Sequence, residues 1–170
     1  MKKNSLLAVG CAALMVLAPL GAARAEEAPL VNIKRLSMEM ALKAAQAAIA
    51  QCRKAGVQIA VTVMDRGGHP QVVLRDVLAA DLTLTISREK AYTALSFNNA
   101  TSAMEKRFTA PFSVGKVEGL VFSAGGLPIT AGGTIVGGIG VSGAPSGLTD
   151  EKCARAGVDA ITADLEMAAF

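Results

Sequence analysis

The chain has 170 residues, 52% of them hydrophobic, with 17 basic and 14 acidic side chains and a formal charge of +3. That length accommodates one domain with a proper core, and a single histidine beside three cysteines in no metal-type spacing argues against a His/Cys zinc site. Three of the basic residues, Lys2, Lys3 and Arg24, lie in the first 25 residues, so the remainder carries 14 charges of each sign; no basic stripe remains to track a phosphate backbone, and nucleic-acid binding is disfavoured.

Lys2 and Lys3 form a basic start, Leu6 to Leu20 an apolar run and Ala23-Arg-Ala25 a small-x-small site. This is the pattern of a secretory signal peptide, and the run is too short for a comfortable membrane span. Cleavage after Ala25 is expected, giving a chain that begins near Glu26 and works in the periplasm or outside the cell. Too little apolar sequence precedes Cys11 for a lipoprotein anchor. A short arm, residues 26–36, then leads to a domain at residues 37–170.

Ser37 opens a helix in which Met38, Ala41, Leu42, Ala45, Ala48, Ile49 and Cys52 share one face, and Gly56 is placed to end it. Val57 to Met64 reads as a buried strand, Asp65-Arg-Gly-Gly68 as a hairpin turn and His69 to Arg75 as the returning strand. Leu82-Thr-Leu-Thr-Ile86 alternates like a strand while Arg88 to Leu95 suits a helix, so periodicity leaves both open. Ser102-Ala-Met-Glu105 has capping-box spacing and predicts a short helix from Ala103 to about Phe108. Val117 to Ser123 reads as a strand.

From Phe122 to Gly147 glycines interleave with strand-forming residues. Leu127-Pro-Ile-Thr130 and Thr134 to Ser142 read as two strands joined at Ala131-Gly-Gly133, and glycines inside strands permit close approach of something to the sheet, a ligand or another subunit. Thr149 or Asp150 can cap a last helix running towards Met167, with Ala154, Val158, Ile161 and Leu165 inward. Terminal helices in this order can pack antiparallel on one sheet face, which brings Cys52, in the last turn of the first, beside Cys153, in the first turn of the last. Export makes a disulfide between them chemically allowed. The elements form an α+β domain, an antiparallel sheet with helices packed on it.

Phe122-Ser-Ala-Gly-Gly-Leu-Pro-Ile-Thr130 and Gly138 to Gly147 resemble blocks of the GlcG/HbpS-like (DUF336-type) family of small haem-binding proteins. Val63-Met-Asp-Arg-Gly-Gly-His69, Arg88-Glu-Lys-Ala-Tyr-Thr-Ala94 and Ala100-Thr-Ser-Ala-Met-Glu-Lys-Arg107 are similar to three more, in the same order. The resemblance spans roughly Leu36 to the C-terminus. It implies a profilin-like form of the fold, a single helix from about Ala80 to Ser96, and assembly into homo-oligomers. It also implies haem as ligand, in capture, buffering or sensing, with transfer to a receptor or a signal to a membrane sensor kinase; haem degradation is a family-level option.

Thr101 matches a threonine tied to haem binding in that family. At a helix start its hydroxyl and free N–H groups would meet a propionate or an iron-bound oxygen, although threonine is a poor direct ligand. From the residues alone, His69 is the one imidazole available as metal ligand or general base, against a plain turn-flanking role. Arg88, Lys90 and Tyr92 are either solvated or core residues, or line an entrance where cations pair with ligand carboxylates; for Tyr92 a core position with a satisfied hydroxyl is the stronger reading. Met38, Met64 and Met104 are candidate thioether ligands, Met38 belonging rather to the apolar stripe. With five Phe, one Tyr and no Trp, an aromatic-walled pocket within one subunit is hard to build. A cleft between subunits, using the glycine-rich sheet and Phe97, Phe108 or Phe122, is the alternative.

No G-x-S-x-G elbow or P-loop occurs, and Gly132-Gly-Thr-Ile-Val-Gly-Gly138 lies within a strand pair rather than opening a helix, so no catalytic set is assigned. Two rival functions stay open: binding of a small organic acid or corrinoid around Arg88, Lys90 and Gly125-Gly126, or assembly alone, with the glycine-rich sheet as the subunit interface.

Overall fold

A computed structural model describes residues 29–169, and the expected leader, its cleavage site after Ala25 and Cys11 lie outside the described residues. The chain divides into Met1–Val31, of which only residues 29–31 are described, and Asn32–Phe170, which carries every element below.

Ser37 starts helix α1 (Met38–Lys54) by accepting the Met40 N–H on its hydroxyl at 3.3 Å, and Gly56, at φ +71°, ends it. The helix buries Ala41, Ala44, Ala45, Ala48, Ile49 and Cys52. Met38, expected on this stripe, is 58% exposed, and Leu42 is also exposed. The stripe is centred one residue away from them, on alanines small enough to let a second helix approach closely.

Strands β1 (Ala60–Asp65), β2 (Pro70–Arg75), β3 (Gly126–Ala131) and β4 (Thr134–Ser142) form one antiparallel sheet in the order β2-β1-β4-β3. Ala131 pairs with Thr134 across Gly132 and Gly133, at φ +53° and +74°; two positive angles in a two-residue loop are what a right-twisted hairpin needs. Helix α2 (Leu82–Phe97) settles the open segment as a helix and covers one face of the sheet, while α1 and α3 (Gly147–Ala169) cover the other. Side-chain alternation sorts the strands accordingly. Val61, Val63, Leu127, Ile129, Ile139 and Val141 join the core with α1 and α3, and Gly126, Gly138 and Gly140 turn towards α2.

Three expectations are corrected. Val117 to Ser123 forms no strand, because its backbone is held by side chains instead: the Val121 N–H donates to Thr93 Oγ1 at 2.9 Å, and just beyond it Ala124 N–H donates to Glu105 Oε1 at 2.8 Å. That use of Glu105 also removes the capping box, since Ser102 Oγ donates to Glu151 Oε1 at 2.9 Å. A single 3₁₀ turn, Thr101–Met104, replaces the short helix. Helix α3 begins at Gly147 rather than after Thr149, and Ser146 Oγ accepts the Thr149 N–H at 3.2 Å. Cys52 and Cys153 are bridged, with Cα atoms 5.5 Å apart, between the end of α1 and the start of α3.

Candidate functional site

The glycine-rich sheet face is covered by the protein's own central helix. A Cβ on Gly140 would stand 2.1 Å from the Ser87 carbonyl oxygen, one on Gly138 2.8 Å from that of Ala91, and one on Gly126 2.3 Å from that of Lys90. Backbone of α2 therefore rests on backbone of β3 and β4. The close approach that these glycines predict is therefore that of the chain's own helix α2, which fills the space above Gly126, Gly138 and Gly140.

The same packing decides four candidate residues. Lys90, expected at an entrance, is 3% exposed. Its ammonium donates to Asp150 Oδ2 at 2.8 Å and to the Val141 carbonyl at 3.1 Å, tying α2 to the start of α3. Burial pushes the Asp150 carboxyl above its ordinary range, against the opposing pull of Lys90 and of the Ala144 N–H. Thr101 is fully buried, and its hydroxyl accepts the Gly126 N–H at 2.8 Å. It thus anchors the strand rather than lining an open pocket. Gly125 and Gly126 are buried beneath Lys90, Asp150 and Thr101. The organic-acid site imagined around Arg88, Lys90 and this glycine pair has no room.

The remaining candidates gather on the outside. Met64, Gly68, Arg88, Glu89, Tyr92 and Gly119 line a small cleft of about 130 Å³ between the β1–β2 hairpin and the outer face of α2. Tyr92 is 44% exposed rather than a core residue. Its ring lies against the turn, about 3.0 Å from where a Cβ on Gly68 would stand, and Gly68 itself is at φ +81°. His69 follows directly, with its side chain 74% exposed and Nδ1 3.3 Å from Asp65 Oδ1.

Asp65 is the member that sequence reasoning missed, having been read only as a turn residue. Its Oδ1 accepts the N–H groups of Gly67 (2.8 Å) and His69 (3.0 Å), and Arg35 Nη1 approaches Oδ2 at 3.3 Å. Burial works against its ionisation, but those two N–H groups, with Arg35 and His69, outweigh it and hold the carboxyl below its ordinary value. The carboxylate-to-imidazole spacing of four residues was the available signal. An imidazole whose Nδ1 faces a fixed carboxylate keeps Nε2 for an outside partner.

The other candidates divide. Met64 and Met104 are buried, Met64 at the floor of the cleft, while Met38 stands in solvent. Phe97, Phe108 and Phe122 pack on one another with centroids 4.8–5.4 Å apart. Among the described residues no group of His, Cys, Asp and Glu is arranged to hold a metal ion by itself, and no helix is long and apolar enough to cross a membrane.

A two-faced antiparallel sheet with this helix order is the profilin-like α+β arrangement. The family model described as "Haem degrading protein HbpS-like" matches residues 36–159, and the chain belongs to that family. The crystal structure of HbpS is 42% identical, covering 77% of this chain and 93% of its own, with a TM-score of 0.74. That of a Streptomyces reticuli HbpS double mutant is 40% identical over 87% and 97%, also at 0.74. A PduOC–haem complex, 24% identical over 75% and 95% with a TM-score of 0.70, is similar in fold.

Proposed function

We propose that this chain is an exported haem-binding protein that captures, buffers or senses haem, and that His69 is the residue that meets the iron. The observation that carries the reading is the Asp65–His69 pair, a supported and exposed imidazole that follows directly on Gly68, the hairpin residue that lines the cleft with Arg88 and Tyr92. Family membership supplies the ligand class.

The donor chemistry fits haem: a neutral imidazole nitrogen for the iron, a guanidinium for a propionate and an aromatic face for the macrocycle. Haem bound here would supply an iron centre, and His69, Arg88 and Tyr92 would hold and orient it. The cleft of about 130 Å³ takes only an edge of so large a ligand, so the rest of its cover comes from a second copy of the chain. Surface presentation of this kind suits reversible capture and hand-over to a receptor or sensor kinase.

Haem titration of the purified chain, followed by its Soret band, tests the proposal. His69→Ala is expected to weaken binding by about tenfold or more and to shift the band. Asp65→Asn should produce a smaller loss, because it frees the imidazole without removing it, and Arg88→Ala should weaken affinity with the band unmoved. An unchanged band and affinity in His69→Ala overturns the assignment of the ligand. Featureless scatter with the unaltered chain overturns haem binding itself.

A further inference from the structure

Among the described residues one large apolar side chain stands entirely in solvent. Phe112 is 103% exposed, and Val114 and Val117, a few residues on, are exposed too. They sit on the long connection between the 3₁₀ turn at Thr101–Met104 and β3, which contains no strand or α-helix.

This connection is a built platform. Phe108 packs in the aromatic trio with Phe97 and Phe122. Ser113 Oγ donates to the Phe108 carbonyl at 2.7 Å, and the N–H groups of Ser113, Lys116 and Val117 close turns on Ala110, Ser113 and Val114. Gly115 lies so close to Phe108 that a Cβ would stand 2.6 Å from its carbonyl oxygen. Phe97, Phe108 and Phe122, each half-buried, pack on one another beneath the loop, and Phe112 is held out at its tip. Burying such a side chain in an apolar layer is favourable, and the loop's own turns and its packing on Phe108 already hold Phe112 out to meet one.

Charge identifies the partner. Between Lys106 and Val117 the exposed charged residues are Lys106, Arg107 and Lys116, with no carboxylate among them. The nearest acids in sequence flank the segment: Glu105, engaged by the Ala124 N–H, and Glu118. Two copies meeting face to face about a two-fold axis would set these cations against themselves. An anionic lipid surface offers the opposite: negative headgroups for the three cations and an apolar layer beneath for Phe112, Val114 and Val117.

We infer that the loop from Lys106 to Val117 docks the protein peripherally on anionic lipid, with Phe112 as the inserted side chain. This goes beyond the haem reading and does not depend on it. An exported chain would thereby be held at a membrane face rather than diffusing freely.

Flotation of the chain from Glu26 onward, which contains the whole compact unit, tests the inference with two sets of vesicles: phosphatidylcholine alone, and phosphatidylcholine with roughly one-third phosphatidylglycerol. Binding is expected to the anionic vesicles only and to fall with added salt. Phe112→Ser should reduce it about tenfold or more. Lys106→Glu combined with Lys116→Glu should abolish it. Circular dichroism, thermal midpoint and haem titration should match the unaltered chain in both variants, which separates failure of this inference from failure of the haem reading. Equal binding to both vesicle types, undiminished binding by Phe112→Ser, or no binding at all overturns it. So does a subunit count in lipid-free solution that falls on Phe112→Ser, which would assign the patch to a second copy.

Discussion

Asp65 carries more than a turn residue's share of the structure, since one carboxylate receives two backbone N–H groups and faces both Arg35 and His69. Its folded-state value lies below the ordinary 3.8. A carboxyl with a depressed value contributes stability above its unfolded value, and that contribution is lost as pH falls through the folded one. Asp65→Asn is therefore expected to lower the urea midpoint near neutral pH. The gap from the unaltered protein should close below about pH 4. A gap that is independent of pH would show that the ionised form plays no part. Residue chemistry was partly legible at this site: His69, Arg88 and Tyr92 were named from the sequence and lie around one hairpin. Lys90 and Thr101 were named beside them, yet each spends its polar atoms internally, because which side of α2 meets the sheet is not written in local residue type.

At the scale of elements, the contact between α2 and β4 depends on hydrogen atoms where other residues carry a Cβ. Gly140→Ala would place a methyl 2.1 Å from the Ser87 carbonyl, backbone against backbone, with no flexible side chain to yield. The expected cost is about 3 kcal/mol or more, from overpacking that separates the helix from the sheet. Gly133→Ala is the contrast: nothing lies near its Cβ position, and only its φ of +74° is penalised, at about 1 kcal/mol. Urea midpoints of the two variants measure the difference, and equal losses would refute close helix–strand packing. The glycines announced a close approach in the sequence, but not by what. Helix α1 shows the same division, for the helix, its Ser37 cap and its Gly56 stop were legible, while the exact stripe was displaced from Met38 and Leu42 onto Ala44 and its neighbours.

For the whole molecule, the Cys52–Cys153 bridge joins α1 to α3 across a sequence separation of 101 residues. Replacing both cysteines by serine should cost roughly 4–5 kcal/mol on the chain-entropy account, because the unfolded chain regains its freedom. The urea slope should rise with it, since the unlinked chain exposes more surface when it unfolds. Two free thiols per chain in denatured, unreduced protein would contradict the bridge. Oxidation of this pair also accords with the proposed export, for which the intact mass after processing at Ala25 is the direct measurement.

Local signals determined the helices α1 and α3, both hairpins and the α+β class, because capping groups, positive-φ glycines and apolar periodicity act over a few residues at a time; the Cys52–Cys153 pairing was only allowed by the sequence, and the packing of α1 beside α3 decided it. Family membership was equally readable, being a matter of residue blocks in order. Only the tertiary structure decided that the glycine face belongs to α2, that Lys90 and Thr101 are interior fastenings and that Asp65 stands behind His69. It also decided that Val117 to Ser123 has no strand partner and that Phe112 is left in water while three other phenylalanines pack together. Each of these turns on which surface a residue meets across the fold, and burial is a property of the packed chain rather than of any stretch of it.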